Sequence, residues 1–326
     1  MRAIWYEDQG PADQVLTLGE TPEPSPGPGE VAVYVKTSGV NPSDVKQRSG
    51  ARGPMAVARQ IPHSDGAGVI KAVGEGVDPS RIGERVWLYS AAFKRPGGTC
   101  AEVCVSPAEL AVPLPDDISF EAGACLGIPA LTAHRALFCG LAVKAKRILI
   151  TGGAGMVGHT AIQLAKWAGA AQVITTVSSP EKAEAAWAAG ADEVIDYTAQ
   201  DVAEAVRAVT GGAGVDHIVE VEFGGNLPVS AELIAEHGTI AAYGSEAEKT
   251  PELKFYDLMF KNVRIQPVFL YRLTPAQRAQ GVWDVTRALV DGALTPLIDQ
   301  VYDIEDTASA HEHVERGKLG AVLVSV

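Results

Sequence analysis

Along residues 30–40, EVAVYVKTSGV, apolar and polar side chains alternate and β-branched types dominate, which predicts a half-buried strand. GVIKAVGEGV (68–77) and GERVWLYS (83–90) repeat the pattern. The Pro- and Gly-rich TPEPSPGPGE (21–30) reads as a stiff surface loop leading into the first strand. The period changes near 120, where SFEAGACLGIPALTAHRALF takes helical spacing behind a Ser cap and an acid. From about 147, strands and helices alternate. RILIT precedes a helix through MVGHTAIQLAKWAG, QVITTV precedes PEKAEAAWAAG, EVIDY precedes DVAEAVRAVTG, and HIVEV precedes NLPVSAELIAEHG, after which come TIAAYG and RIQPVFL. Six such strands joined by helices predict a doubly wound parallel sheet covered on both faces. The tail adds a helix (PAQRAQGVWDVTRALVDG), a strand (IDQVYDI), a helix (TASAHEHVERG) and a closing strand (AVLVSV). It is expected to return to the first domain. The expected organisation is α/β, with a β-rich domain over 1–125 completed by 271–326, and the doubly wound domain, 126–270, inserted between them.

Composition narrows the functions. At 326 residues the chain exceeds one small core. Its net charge of −13 argues against non-specific binding to nucleic acid or anionic lipid, since phosphate attraction needs Lys and Arg, and leaves room for a local basic pocket. The N-terminus MRAIWYEDQG does not read as a signal peptide, and no run of about 18 apolar residues predicts a membrane span. Cys100, Cys104, Cys125 and Cys139 form no C-x-x-C pair and no disulfide framework, which suggests a reducing cytoplasm. There is no G-x-S-x-G elbow, H-E-x-x-H or P-loop to support a hydrolase or a kinase.

The candidate chemistry begins at ITGGAGMVGH (150–159), which contains Gly153-x-Gly155-x-x-Gly158. This motif is weak alone, but here it follows a strand and opens a helix. The first glycine allows the sharp turn, the second lets a pyrophosphate approach the backbone, and the third lets helix and strand pack closely. Phosphate then lies on free N–H groups at the positive end of the helix dipole. About 20 residues further on, NAD-binding folds carry an acid for the ribose hydroxyls. Here the run is Ser178-Ser179-Pro180-Glu181-Lys182. Hydroxyls can donate to a 2′-phosphate and an ammonium can pair with it, so the expected cofactor is NADPH, read by Ser178, Ser179 and Lys182.

Further stretches, SGVNPSDVKQRSG (38–50), HSDGAGVIKAVGEGV (63–77), GIPALTAHRAL (127–137), DEVIDY (192–197) and ALVDGALTPLI (288–298), carry a resemblance over essentially the whole chain. The sequence resembles the zinc-free medium-chain dehydrogenase/reductases, most closely the zeta-crystallin-like NADPH:quinone oxidoreductases. That resemblance implies a GroES-like catalytic domain interrupted by a Rossmann domain, with the active site in the cleft between them. It also implies hydride transfer from NADPH to a quinone or an electron-poor alkene. Zinc-dependent cousins carry a catalytic Cys where this chain has Asn41 and a His where it has Ser64, both poor zinc ligands here, so no metal is expected.

The resemblance further places Asn41 near nicotinamide and substrate, and Thr132 near the central phosphates or the nicotinamide ribose. Met156 and Val157 would offer backbone N–H groups to the pyrophosphate. Lys182 and Tyr197 would hold the 2′-phosphate end, and Ser245 the adenosine side. The backbone at Phe269 and Tyr271 would meet the carboxamide, and Arg316 would contact the cofactor. Close relatives have a tyrosine where this chain has Lys46, and a second pocket tyrosine is replaced near Arg52. Without zinc, a developing negative oxygen needs donors, and Asn41 and Lys46 are the candidates. Relatives form dimers or tetramers, often through Rossmann edge strands, and RIQPVFL is the candidate edge. Alternatives are a zinc-free enone or alkenal double-bond reductase, or a non-catalytic NADPH-binding structural or RNA-binding protein of the zeta-crystallin type.

Overall fold

The alternating segment at 30–40 becomes β3 (Glu30–Val40), the spine of a mostly antiparallel sheet. It is more buried than its pattern predicts. Only Tyr34 and Lys36 are exposed, because other elements cover both ends of the strand. The computed structural model describes residues 1–140, 142–317 and 319–326. They divide into two units, Met1–Ile128 with Ile298–Val326, and Pro129–Leu297.

In the first unit, β1 (Arg2–Trp5) and β2 (Thr17–Glu20) pair around the short α1 (Ala12–Val15). After β3 come α2 (Pro42–Arg48), β4 (Asp65–Val73), β5 (Arg85–Leu88), β6 (Val103–Pro107), β7 (Ala111–Pro113) and α3 (Phe120–Gly123). The tail contributes β14 (Ile298–Asp303), α11 (Thr307–Arg316) and β15 (Ala321–Ser325). The sheet order is β14-β15-β3-β4-β5-β7, with β6 also on β3. Pairing explains the tail's return: β15 lies antiparallel on β3, Val322 opposite Val40, and closes a core of Ile4, Val40, Val45, Ile304, Val314 and Val324. Burying each such side chain is worth about 1.5–3 kcal/mol.

The second unit runs α4 (Leu131–Phe138), β8 (Arg147–Ile150), α5 (Met156–Trp167), β9 (Gln172–Val177), α6 (Pro180–Ala188), β10 (Glu193–Asp196), α7 (Val202–Thr210) and β11 (Val215–Glu220). It continues with α8 (Phe223–Leu233), β12 (Ile234–Ala242), α9 (Phe255–Met259), β13 (Arg264–Pro267) and α10 (Pro275–Val290). All strand pairings are parallel, in the order β10-β9-β8-β11-β12-β13. Counted from β8, this is the doubly wound order that reverses between its first and fourth strands. Leu149, Ile174, Ile195, Ile218 and Ile240, one from each of five strands, are buried in one cluster, as expected of a sheet covered on both faces.

Two boundaries differ from the sequence expectation. The helix expected over 119–138 is broken into α3 and α4. Ser119 does cap α3, accepting from Ala122 N–H, but Pro129 lacks an N–H and interrupts the ladder. The return to the first unit falls at Ile298 and not near 271. The reason is packing: α10 lies against α4, and the Gln163 side chain accepts from Thr295 N–H at 2.7 Å and donates to its carbonyl at 3.0 Å. Residues 271–297 therefore stay with the doubly wound unit.

Candidate functional site

In a parallel sheet every strand ends on the same edge, and ligands of doubly wound folds bind outside those carboxyl ends at the point where strand order reverses. Most of the expected cofactor residues fall on that edge. The glycine turn follows β8, Ser178 and Ser179 follow β9, Tyr197 follows β10, Ser245 lies beyond β12, and Phe269 and Tyr271 lie beyond β13. The sequence places them up to 118 positions apart, and the topology gathers them (271 − 153).

The turn is shaped for a close backbone approach. A Cβ on Gly153 would lie 2.1 Å from Thr175 Oγ1, and one on Gly158 would lie 2.2 Å from the Gly152 carbonyl oxygen. Around Gly155 the nearest atom is that same carbonyl, 3.5 Å away. Gly155 is the N-cap of α5 and makes no side-chain cap hydrogen bond, so the helix start, at Met156 and Val157, faces the turn without a capping side chain from the N-cap position. These features fit a dinucleotide pyrophosphate. β9 braces the turn: Gly152 N–H donates to Thr176 Oγ1 at 3.2 Å and Gly153 N–H to the Thr176 carbonyl at 3.0 Å.

Beyond β9, Lys182 Nζ donates to Ser178 Oγ at 2.9 Å, and Ser179 Oγ accepts from Lys182 N–H at 3.3 Å as the cap of α6. The three residues form one donor-rich corner without a carboxylate of their own. Tyr197 is exposed beside β10. Ser245 Oγ accepts from Gly224 N–H at 2.9 Å and donates to the Glu248 carbonyl, tying the start of α8 to the loop after β12. Phe269 and Tyr271 meet edge-on at 5.3 Å, and Thr132 is buried in α4. Arg316 is not part of this edge. It ends α11 in the first unit, exposed and 3.6 Å from Glu312.

The first unit holds Asn41, buried at 1% exposure, at the junction of β3 and α2. Its N–H donates to Asp44 Oδ2 at 2.9 Å in a capping box, and its Nδ2 donates to Asp65 Oδ2 at 2.8 Å. Asp44 thus anchors the helix start. Lys46 follows on α2, half-buried. Arg48, 1% exposed, ties α2 to the chain ends by donating to the Gly10 carbonyl and pairing with Glu315.

The donors here do not fit zinc. Ser64 is buried beside His63, whose ring nitrogens are both engaged, Nδ1 with Ser38 Oγ and Nε2 with His311 Nε2, each at 2.8 Å. Burial pushes the thiols of Cys100 and Cys104 up to about 12, far from thiolate at neutral pH. Among the described residues no group of three His, Cys, Asp or Glu side chains is placed to hold a metal.

Sequence reasoning missed three buried polar groups. Glu220, at the end of β11 and next to the turn, accepts from Thr151 Oγ1, Glu222 N–H, Asn226 Nδ2 and Ser230 Oγ at 2.7–3.2 Å. It holds the residue that precedes the glycine turn, and its only sequence signal is an acid closing an apolar strand. Asp65 had no signal beyond its motif. The His63–His311 pair joins residues 248 positions apart. His63 also adopts a left-handed φ of 73°, uncommon for a non-glycine.

Comparison with known proteins agrees with this division. Residues 27–116 match the alcohol dehydrogenase GroES-like domain, and residues 156–287 match the zinc-binding dehydrogenase domain. A quinone oxidoreductase of Rattus norvegicus is 30% identical over 327 residues, covering 99% of this chain and 97% of the relative. A 2-haloacrylate reductase of a Burkholderia species is 29% identical, covering 99% of this chain and 98% of the relative. The structure of Escherichia coli quinone oxidoreductase complexed with NADPH superposes with a TM-score of 0.88 at 26% identity, over 100% of both chains. No helix among the described residues is long and apolar enough to cross a membrane.

Proposed function

This chain belongs to the quinone oxidoreductase family of zinc-free medium-chain dehydrogenases/reductases, and we propose that it is an NADPH-dependent reductase acting on quinones or related electron-poor carbonyls and alkenes. The observation that carries the cofactor assignment is the Ser178–Lys182 pair beyond β9, where a carboxylate would repel a 2′-phosphate and these groups attract it. The uncapped start of α5 takes the pyrophosphate on the N–H groups of Met156 and Val157, and the glycines keep side chains out of its way. In this reading Tyr197 lies by the 2′-phosphate, Ser245 by the adenosine, Phe269 and Tyr271 by the carboxamide, and Thr132 by the central phosphates. Arg316 carries the weakest case, because it lies exposed on α11 of the first unit, 3.6 Å from Glu312.

When bound, the nicotinamide supplies the hydride. The chain's own residues orient the acceptor and meet its charge. Asn41 Nδ2 keeps one hydrogen on Asp65 and offers the other to the acceptor oxygen. Lys46 adds positive potential, and water supplies the proton. No zinc takes part, because Asn41 and Ser64 are poor ligands and His63 is committed on both nitrogens. The test is NADPH oxidation with 1,4-benzoquinone beside methyl vinyl ketone; absence of turnover with both ends the proposal. A second reading, reduction of an anionic electron-poor alkene, is favoured by the cationic Lys46 and Arg52, which the family resemblance puts at or near positions of pocket tyrosines. An acrylate acceptor turned over faster than a neutral enone would select it.

The reading extends to assembly and location. Strand β13 is the sheet edge, and Phe255, Tyr256 and Phe260 nearby are exposed, Phe260 at 74%. A second copy pairing along β13 would satisfy that edge and cover those aromatics, which supports a homo-oligomer. Phe260→Glu should shift the sedimentation coefficient toward the monomer. The four cysteines are all free, consistent with the cytoplasm.

A further inference from the structure

Asp65 begins β4 and is 0% exposed. A buried carboxylate is costly, and well-packed apolar residues often serve stability as well as buried charge. What surrounds this one is specific. Its Oδ2 accepts from Asn41 Nδ2 at 2.8 Å and from Ile128 N–H at 2.7 Å. Its main-chain carbonyl accepts from Thr99 Oγ1 at 2.6 Å, and Thr99 Oγ1 lies 2.7 Å from Ser38 Oγ. Glycines make the room: a Cβ on Gly127 would lie 2.1 Å from Asp65 Oδ1, and one on Gly66 would lie 2.8 Å from Thr99 Cβ.

The consequence concerns the amide of Asn41. A carboxamide has a donor end and an acceptor end of nearly the same shape, and both ends are held here: in the capping box the Asn41 side chain accepts from the Asp44 backbone N–H, and its Nδ2 donates to Asp65. A carboxylate only accepts, so Asp65 admits the Nδ2 end and rejects the Oδ1 end. We propose that Asp65 is a positioning residue for hydride transfer, locking the Asn41 carboxamide in the one orientation that directs its remaining N–H at the acceptor oxygen. Thr99 and Ile128 fix Asp65 in turn. The inference rests on the reading that Asn41 contacts the acceptor, and goes beyond it by naming the group that gives Asn41 its direction.

The experiment uses the full chain with NADPH and 1,4-benzoquinone and compares Asn41→Ala, Asp65→Asn and the double variant. Asparagine at 65 keeps the shape but both donates and accepts, so it no longer rejects the Oδ1 end of Asn41 and leaves the capping box alone to hold the flip. Asp65→Asn should lower kcat about tenfold or more, as small misplacements of a reacting group do, while the Kd for NADPH and the melting temperature stay near wild type. The double variant should match Asn41→Ala, because a positioning residue has nothing left to position. Losses that multiply, or an Asp65→Asn kcat within twofold of wild type beside a crippled Asn41→Ala, overturn the proposal alone. An Asn41→Ala variant with unchanged kcat overturns the parent reading and this inference with it. Should Asp65→Asn not fold, Thr99→Val, which frees the Asp65 carbonyl but leaves its carboxylate, must lower kcat in the same non-additive way.

Discussion

Gly153, Gly155 and Gly158 act by having no side chains, within one turn of chain that a reader meets in order. Asn41 and Asp65 act by having them, and they meet across 24 residues that carry no sign of the encounter. The first arrangement is backbone geometry, so its tolerance for change is set by free space around a Cα. The second is hydrogen-bond matching, so its tolerance is set by which atoms donate. The two regions should therefore break differently: the turn through volume, the Asn41 corner through polarity.

The largest effect is expected at the turn. Gly158→Ala puts a Cβ 2.2 Å from the Gly152 carbonyl oxygen, a backbone atom that cannot rotate away, and should weaken NADPH binding by about 100-fold or more in fluorescence titration, the scale of a displaced pyrophosphate cradle. Gly155→Ala makes only an ordinary 3.5 Å contact within the chain, so it should weaken NADPH binding by filling the pyrophosphate's approach while leaving the melting temperature near wild type; a drop in melting temperature equal to that of Gly158→Ala would remove the volume argument. Next, Lys182→Ala deletes a charge-assisted donor, worth about 1.5–3 kcal/mol or roughly 10- to 150-fold in the Kd for NADPH, with little change for NADH. Parallel losses for both nucleotides would mean that Lys182 does not read the 2′-phosphate.

The buried polar groups of the first unit also predict a response to acid. Burial lowers the His63 pKa to about 3, and burial, with the His63 and Arg48 charges, holds His311 well below its ordinary value. Both are neutral in the folded chain, whereas the unfolded chain binds protons below about 6.5. Stability therefore falls as pH drops from about 6.5 toward 3, by up to about 1.4 kcal/mol per pH unit for each histidine. Denaturant titrations at successive pH values should show a shallower decline for His311→Gln; an unchanged slope would contradict the assignment. The smallest effect is at Lys46. Its alanine variant should lose only a fewfold in kcat with a neutral quinone, as for one half-exposed charge, and more with an anionic acceptor.

Much of the second unit was legible because its information is local. A strand, a glycine turn and an uncapped helix start occupy consecutive residues, and Ser178, Ser179 and Lys182 form a single helix cap. The unit boundary was less legible. Whether 271–297 goes with one unit or the other depends on Gln163 meeting Thr295, 132 residues away. Arg316 ends α11 in the first unit, beside its helical neighbour Glu312, a placement that no local pattern around it signals.

Periodicity and turn chemistry, both properties of neighbours along the chain, were enough to read a doubly wound sheet, a glycine turn that opens a helix, and the Ser178–Lys182 corner that follows β9. The burial of Asp65, Glu220 and the His63–His311 pair came only with folding. A buried polar side chain is stable only if partners from distant segments satisfy it, and those partners exist once the sheets have brought the segments together.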